Sequence, residues 1–446
     1  MNRILTLCAL LLAMPMAAQI TPERLAEDPL LATDVYRTYE YAPSAMTKAP
    51  RGYKPVYISH FGRHGERYIN RESYLLSGLE VLQNEALTPL GERALTQISE
   101  MMEITRDNLG ALSPLGAKNH RAIAKRMFQR NRRVFRRGRT VRCVSTDVPR
   151  CIISMANAGS SLNAMRPSLN VEYKTDERLR CYNQSPDLRK YLTARRDSML
   201  ARHPEAFDKL KTCFADPSKL SLKELSAVAE ALFFTWKDLP CLSMEAFDIK
   251  EFFSDELILL FARHGSSWDY CLLSRSPWWH REWVDSLSDN IICRAEEALQ
   301  RNDIAADLRF VHDSQLIPLA TVLGLTANGP VLGYDDAPDA WDPASICPMA
   351  TNLQMVFYKN RKGSVLVKLL WNEKEVFVPS LTPVKGPYYL WEDLKSLLKE
   401  EYHVCAYVWP SCHNDMECYR DSEGSYLLPD KVNGFGYLEQ VKKVLR

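Results

Sequence analysis

The residues best suited to chemistry lie in one short run, Phe61-Gly62-Arg63-His64-Gly65-Glu66-Arg67. Glycines on both sides let a ligand approach the backbone around the histidine closely. Arg63 and Arg67 bracket His64 and disfavour imidazolium, so the ring is expected to be neutral at moderate pH. A neutral imidazole is a nucleophile, and guanidinium forks match phosphate oxygens. Taken alone, the run fits a turn carrying surface arginines equally well.

Three further features favour the chemical reading. Val311-His312-Asp313 follows a strand pattern and opens a helical one. Asp313 there suits a helix N-cap, and it also suits a proton donor to a leaving oxygen. Ser145-Thr146-Asp147-Val148-Pro149-Arg150 places another arginine just past a strand end. Residues 117–142 carry eleven Lys and Arg side chains, and no Asp or Glu occurs from Asn108 to Thr146. Such a run fits a solvated helix face, a track for a nucleic-acid backbone, or the wall of a cleft that attracts a polyanionic small molecule. Only Phe128 and Phe135 interleave with it, which weakens the nucleic-acid version.

These residues need elements to position them. Lys54 to Phe61 alternates and is rich in Val, Ile, Tyr and Phe, so it reads as a strand. Thr88-Pro89-Leu90-Gly91 and Ser113-Pro114-Leu115-Gly116 each put a hydroxyl cap before a proline at the first helical position. Thr140–Ser145 and Leu308–Val311 read as short strands, each followed by a helix. From about 185 to 301 the text is helical. Met349–Tyr358, Ser364–Trp371 and Glu375–Val378 read as an antiparallel meander, and Trp391–Tyr402 as a last helix. Strand–helix text at both ends around a helical block predicts an α/β domain interrupted by an α-helical one. In such sheets ligands bind beyond the carboxyl ends of the strands.

The order RHGxR (Arg63, His64, Gly65, Arg67), STDxxR (Ser145 to Arg150) and HD (His312, Asp313) resembles the branched, two-domain histidine acid phosphatases, the phytases and multiple inositol polyphosphate phosphatases among them. The resemblance runs from about residue 50 to 410. It implies a three-layer α/β core with a mixed sheet and an inserted all-α cap. The core would comprise 19–115, 138–180 and 302–446, and the cap 116–137 and 181–301. It implies that His64 attacks phosphorus and that Arg63, Arg67, Arg150 and His312 hold the phosphoryl oxygens. Asp313 would protonate the leaving alcohol. Three guanidiniums and two imidazoles would supply the positive charge, so no metal or other cofactor is required.

The chain also departs from the family pattern. Ile69 stands where proline is frequent, and Ser314-Gln315 follows HD. Tyr68 is similar to the inositol polyphosphate branch, which commonly carries His-Ala-Glu in place of His312-Asp313. The substrate class expected is a phosphorylated, polyanionic small molecule such as inositol hexakisphosphate, with Lys118, Arg121 and Lys125 helping to capture it. A general acid or sugar-phosphate phosphatase, and a non-catalytic phosphate-binding protein, remain alternatives. A second RHG, Arg263-His264-Gly265, lacks the following arginine and reads as structural or cleft-lining. Trp278, Trp279 and Trp283 read as packing residues, with sugar stacking as the alternative.

The address is read from the N-terminus. Met1–Arg3 is a basic start, Ile4–Met14 is apolar, and Pro15–Ala18 ends in small residues. This is the pattern of a secretory signal cut near Ala18, and it predicts a secreted or periplasmic protein with no membrane span. Losing residues 1–18 removes Arg3 and Cys8. The net charge falls from +2 to about +1 and the cysteines from 12 to 11. Disulfides are permitted after export; the near pairs are Cys143 with Cys151, and two of Cys405, Cys412 and Cys418. The chain of 446 residues, 46% apolar and 25% charged, excludes a disordered or fibrous class.

Overall fold

The computed structural model describes residues 19–180, 186–278, 282–326 and 331–399. Its centre is one mixed eight-stranded sheet: β1 (Lys54–Arg63), β2 (Thr140–Ser145), β3 (Asn170–Thr175), β4 (Ile304–Val311), β5 (Asn352–Lys359), β6 (Val365–Trp371), β7 (Lys374–Glu375) and β8 (Tyr388–Leu390). The order is β3-β2-β4-β1-β5-β6-β7, with β8 also on β6. β3, β2, β4 and β1 are joined in that order by parallel pairings, while β5 runs antiparallel to β1. β4 is buried along its whole length, as a central parallel strand covered on both faces must be.

The longer helices are α1 (Ser73–Asn84), α2 (Pro89–Thr105), α3 (Pro114–Arg130), α4 (Pro149–Met165), α5 (Pro186–Ala201), α6 (Leu222–Asp238), α7 (Asp255–Leu273), α8 (Glu282–Gln300), α9 (Asp313–Val322) and α10 (Trp391–Lys399). Alternation along β1 decides the layering. Tyr57 and Phe61 point to the face covered by α8, α9 and α10, and pack with Leu287, Ile291, Leu316 and Leu394. Ile58 points to the opposite face, where Phe310 and Val141 meet Ala124 and Met127 of α3 and Met155 and Leu162 of α4. Each fully buried side chain of this size stabilises by roughly 1.5–3 kcal/mol. The result is the expected three-layer α/β core. The proposed helix starts are also present: the hydroxyls of Thr88 and Ser113 accept from the amides of Gly91 and Gly116 at 3.3 and 3.2 Å.

The helices of the first half sort into two sets by packing. α3 lies on the sheet. α1 and α2 pack with later helices: Leu75, Leu82, Ile98 and Met101 meet Val228, Leu232 and Leu257. The reason is register on the helix surface, since the apolar stripe of α3 matches the sheet and those of α1 and α2 match α6. Strand β3 was not foreseen; its residues are mostly exposed and give no buried alternation. Cys143 and Cys151 are both free, against the pairing considered for them. Cys143 packs between sheet and helices, and the Cys151 sulfur contacts the His312 ring and the Val311 carbonyl. Residues 405, 412 and 418 and the proposed leader lie outside the described residues, as do Trp279 and the side chain of Trp283. Trp278 packs partly buried against Tyr191. Among the described residues no helix is long and apolar enough to cross a membrane.

Two buried histidines flank Phe310 near the carboxyl end of β4. His60 and His120 are 2% exposed and each stands 5.4 Å from the Phe310 ring. Burial lowers both pKa values to about 3; for His60, His120 and Arg309 add to the effect. The folded state therefore refuses protons that the unfolded chain accepts below about pH 6.5. Stability is expected to be full above that pH and to fall as acid is added. His120→Gln should make the loss between pH 7 and 4.5 shallower by roughly 2 kcal/mol, measured by urea unfolding at both pH values.

Candidate active site

Parallel pairing of β1 with β4 assembles the site. Arg63 stands opposite Val311, and the His64 amide donates to the Val311 carbonyl at 2.9 Å. The residues just past the two strand ends, His64 and His312, are thereby neighbours, with ring centroids 5.3 Å apart. β2 ends beside β4, and Thr146 and Arg150 follow it at the start of α4. α9 begins at Asp313, so the positive ends of two helices face this corner.

His64 is 2% exposed. Its Nδ1 lies 2.8 Å from the Gly65 carbonyl. A carbonyl can only accept, so Nδ1 carries the proton and the lone pair sits on Nε2. Burial pushes the ring's pKa well below its ordinary value, and Arg150, Arg63, His312 and Arg67 push it the same way. His312 is held similarly. Arg150 Nη2 approaches its Nδ1 at 3.4 Å, so Nδ1 accepts and Nε2–H faces the Thr146 hydroxyl at 3.3 Å. Burial first and Arg150 second lower its pKa to about 3. Both rings are thus held neutral well below the pH at which a free imidazole gains its proton.

The arginines are crowded and under-partnered. The Arg63 side chain is 1% exposed; it donates to the carbonyls of Val35 and Cys347 and pairs with Asp313 at 2.6 Å. Arg67 lies over the Tyr36 ring at 4.5 Å. Burial, then Arg67, lowers the pKa of Arg150 to about 10. The Nε atoms of Arg63 and Arg150 are buried without a partner. Such a cluster would be relieved by an anion with several oxygens. Burial favours the neutral form of Asp313, but Arg63, His312 and the Ser314 amide outweigh it and lower the pKa.

The loop that carries His64 is held from behind. A Cβ on Gly65 would stand 2.6 Å from Gly116 Cα, and one on Gly116 would stand 2.4 Å from the Glu66 carbonyl. Only two glycines let α3 start against this loop. The Gly65 amide donates to Ser154 Oγ at 3.2 Å, and the buried Glu66 carboxylate accepts from the Tyr39 amide and Asn119 at 2.8 Å. Ser154 follows Arg150 by one helical turn, a spacing that could have flagged it in the sequence. Asp269 of α7 left no such signal. Burial, then Asp34 and Asp313, raise its pKa well above the carboxylate range.

The structure thus brings together His64, Arg63, Arg67, Arg150, His312 and Asp313. It disperses most of the basic run. Arg126 and Arg130 pair with the fully buried Glu373 at 2.6 and 2.9 Å. Arg142 pairs with Glu297 and Asp307, and Arg139 donates to the backbone carbonyls of Val134 and Ile304. Lys118, Arg121 and Lys125 remain on the exposed side of α3, where Arg121 reaches Asn157 of α4 at 2.5 Å. Among the described residues, His203, Glu205 and Glu256 have the spacing of a cation site, on the cap. The cationic corner around His64 would repel a metal ion instead.

The fold is that of known phosphatases. The Bifidobacterium longum multiple inositol polyphosphate phosphatase in complex with inositol hexasulfate superposes with a TM-score of 0.67 at 18% identity, covering 82% of this chain and 97% of that one. The phosphate complex of the same enzyme gives 0.64 at 18% identity, over 83% and 97% of the two chains. The phytase from D. castellii gives 0.61 at 13% identity, over 83% and 84%. No family model matches the sequence, and no curated protein matches it either. The likeness at these identities is one of fold, shared with the histidine acid phosphatases.

Proposed function

We propose that the chain is an exported phosphomonoesterase acting through a phosphohistidine, with inositol polyphosphates such as phytate as its substrates. One observation carries the reading: a neutral His64 with its lone pair on Nε2, among three guanidiniums and beside a carboxyl. Nε2 attacks phosphorus; the N–P bond forms as the P–O bond to the leaving group breaks. Asp313 gives its proton to the leaving oxygen. Water then attacks the phosphohistidine, returning a proton to Asp313 and releasing phosphate. Arg63, Arg67, Arg150 and His312 hold the equatorial oxygens, where most of the catalytic stabilisation of phosphoryl transfer arises. The inositol phosphate and phytase character of the structural neighbours supports the substrate class. The apolar leader in residues 4–14 supports export.

The central test is chemical. Wild type mixed with phytate and quenched should yield an acid-labile phosphoenzyme, absent from His64→Ala together with turnover. Undiminished hydrolysis in that variant would sink the mechanism.

Acid dependence follows from Arg63. In the free protein its ion pair holds Asp313 ionised. A bound phosphate dianion competes for Arg63 and raises the pKa of Asp313, while His64 stays neutral. Turnover should therefore fall as pH rises through the Asp313 titration. Asp313→Asn should lower kcat for an alkyl phosphate by roughly 10²–10⁴ and remove that pH limb. It should cost less with p-nitrophenyl phosphate, whose leaving group departs without a proton.

The exposed face of α3 sets the polyanion preference. Lys118→Ala with Arg121→Ala should raise KM for phytate several-fold at 0.1 M salt, with each lost contact worth about 1 kcal/mol or less. KM for a monophosphorylated sugar should not change. Equal effects on both substrates would favour the general phosphatase.

A further inference from the structure

The segment Pro29–Tyr36 runs between sheet and cap and touches two of the active-site arginines. Arg63 Nη1 donates to the Val35 carbonyl, and the Arg67 guanidinium lies over the Tyr36 ring. The turn that aims both groups is made at Asp34, with φ +47° and ψ −137°. A residue with a side chain seldom occupies that region unless its surroundings hold it there.

The hold comes from the cap. Lys237, at the end of α6, places its Nζ 3.0 Å from Asp34 Oδ2, and its side chain is 4% exposed. The same ammonium lies 4.2 Å from the centroid of the Tyr36 ring and 4.1 Å from that of Phe234. The Tyr36 ring therefore meets two cations, Arg67 and Lys237. Asp34 Oδ1 accepts from the Tyr36 amide at 3.2 Å and closes the turn. Gly265 of the second RHG stands close by: a Cβ there would lie 3.0 Å from Asp34 Oδ2. The other two members of that motif anchor α7 nearby, Arg263 on Asp339 at 2.6 Å and His264 on the Tyr334 hydroxyl at 2.7 Å.

We propose that Lys237 and Asp34 are a positioning pair for the phosphate-binding arginines, and that Gly265 is glycine to admit Asp34. The pair is the link by which the cap fixes the active-site face of the core. Without the ammonium, Asp34 is a buried carboxylate that has lost its ion-pair partner, and the turn loses its reason to persist. Val35 and Tyr36 then release Arg63 and Arg67. The proposal rests on reading this corner as a phosphoryl site; Lys237 and Asp34 themselves touch no reacting atom.

The test uses the full chain carrying Lys237→Met, Lys237→Arg or Asp34→Asn. Three quantities are measured: hydrogen–deuterium exchange in 33–37 and 62–68, affinity for inorganic phosphate by calorimetry, and kcat and KM for p-nitrophenyl phosphate. K237M should speed exchange in both segments and weaken phosphate about tenfold or more, and K237R should stay within about threefold of wild type. In an Arg67→Ala background, K237M should add less loss than it causes in wild type, because one of the two arginines it positions is already gone. Asp34→Asn keeps the volume of the side chain and should show the same coupled loosening if K237M folds poorly. Faster exchange confined to 33–37, with phosphate affinity within about twofold, overturns the pair and leaves the proposed function standing. A wild type that binds phosphate without His64-dependent hydrolysis overturns the function and leaves the pair to the exchange and affinity data.

Discussion

Arg63 carries its charge with almost no contact with water. An isolated buried cation costs several kcal/mol, so its surroundings must compensate it. They do so from three directions: the Val35 carbonyl, the Cys347 carbonyl and the Asp313 carboxylate. These partners come from the N-terminal strap, the approach to β5 and the start of α9. Each is delivered by a different part of the chain, and satisfying one guanidinium fixes all three against the end of β1. The compensation is incomplete, because Arg63 Nε and Arg150 Nε stay unpaired. A corner that is rigid and still short of negative charge is preorganised for an anion.

Burial also separates the titration of His64 from that of the neighbouring carboxyl. A histidine in water would be protonated where a carboxylic acid is available to donate. Here desolvation and neighbouring arginines keep His64 neutral at low pH. The same Arg63 helps to hold Asp313 ionised. Environments that separate the titration of two groups assign them their acid and base roles. The accompanying cost is a core with several histidines that cannot be protonated in place, among them His60 and His120.

Much of this was legible in the sequence because it is local. The Pro-Leu-Gly helix starts, the strand before the RHG and the strand before the HD depend on caps, fixed φ and alternation within a few residues. They appear where expected. The basic run misled because charge spacing says nothing about partners 150 to 250 residues away. Glu373 claims Arg126 and Arg130, and Asp307 claims Arg142. The packing partners of α1, α2 and α3 were not legible for the same reason: an apolar stripe states that a helix packs and not against what. Asp34, Lys237 and Asp269 carried no motif, since their meaning lies in a turn and two cap helices that meet only in space.

The sequence by itself determined the chemistry available: a histidine, three arginines and an HD pair placed at strand ends, because side-chain type and strand–turn–helix grammar are properties of short segments. Only the tertiary structure decided which nitrogen of His64 is free, which arginines gather around it and which pair with carboxylates far along the chain, and why Gly65 and Gly116 are glycines. Those facts depend on distances between segments far apart in the chain, and on the withdrawal of water from the groups between them.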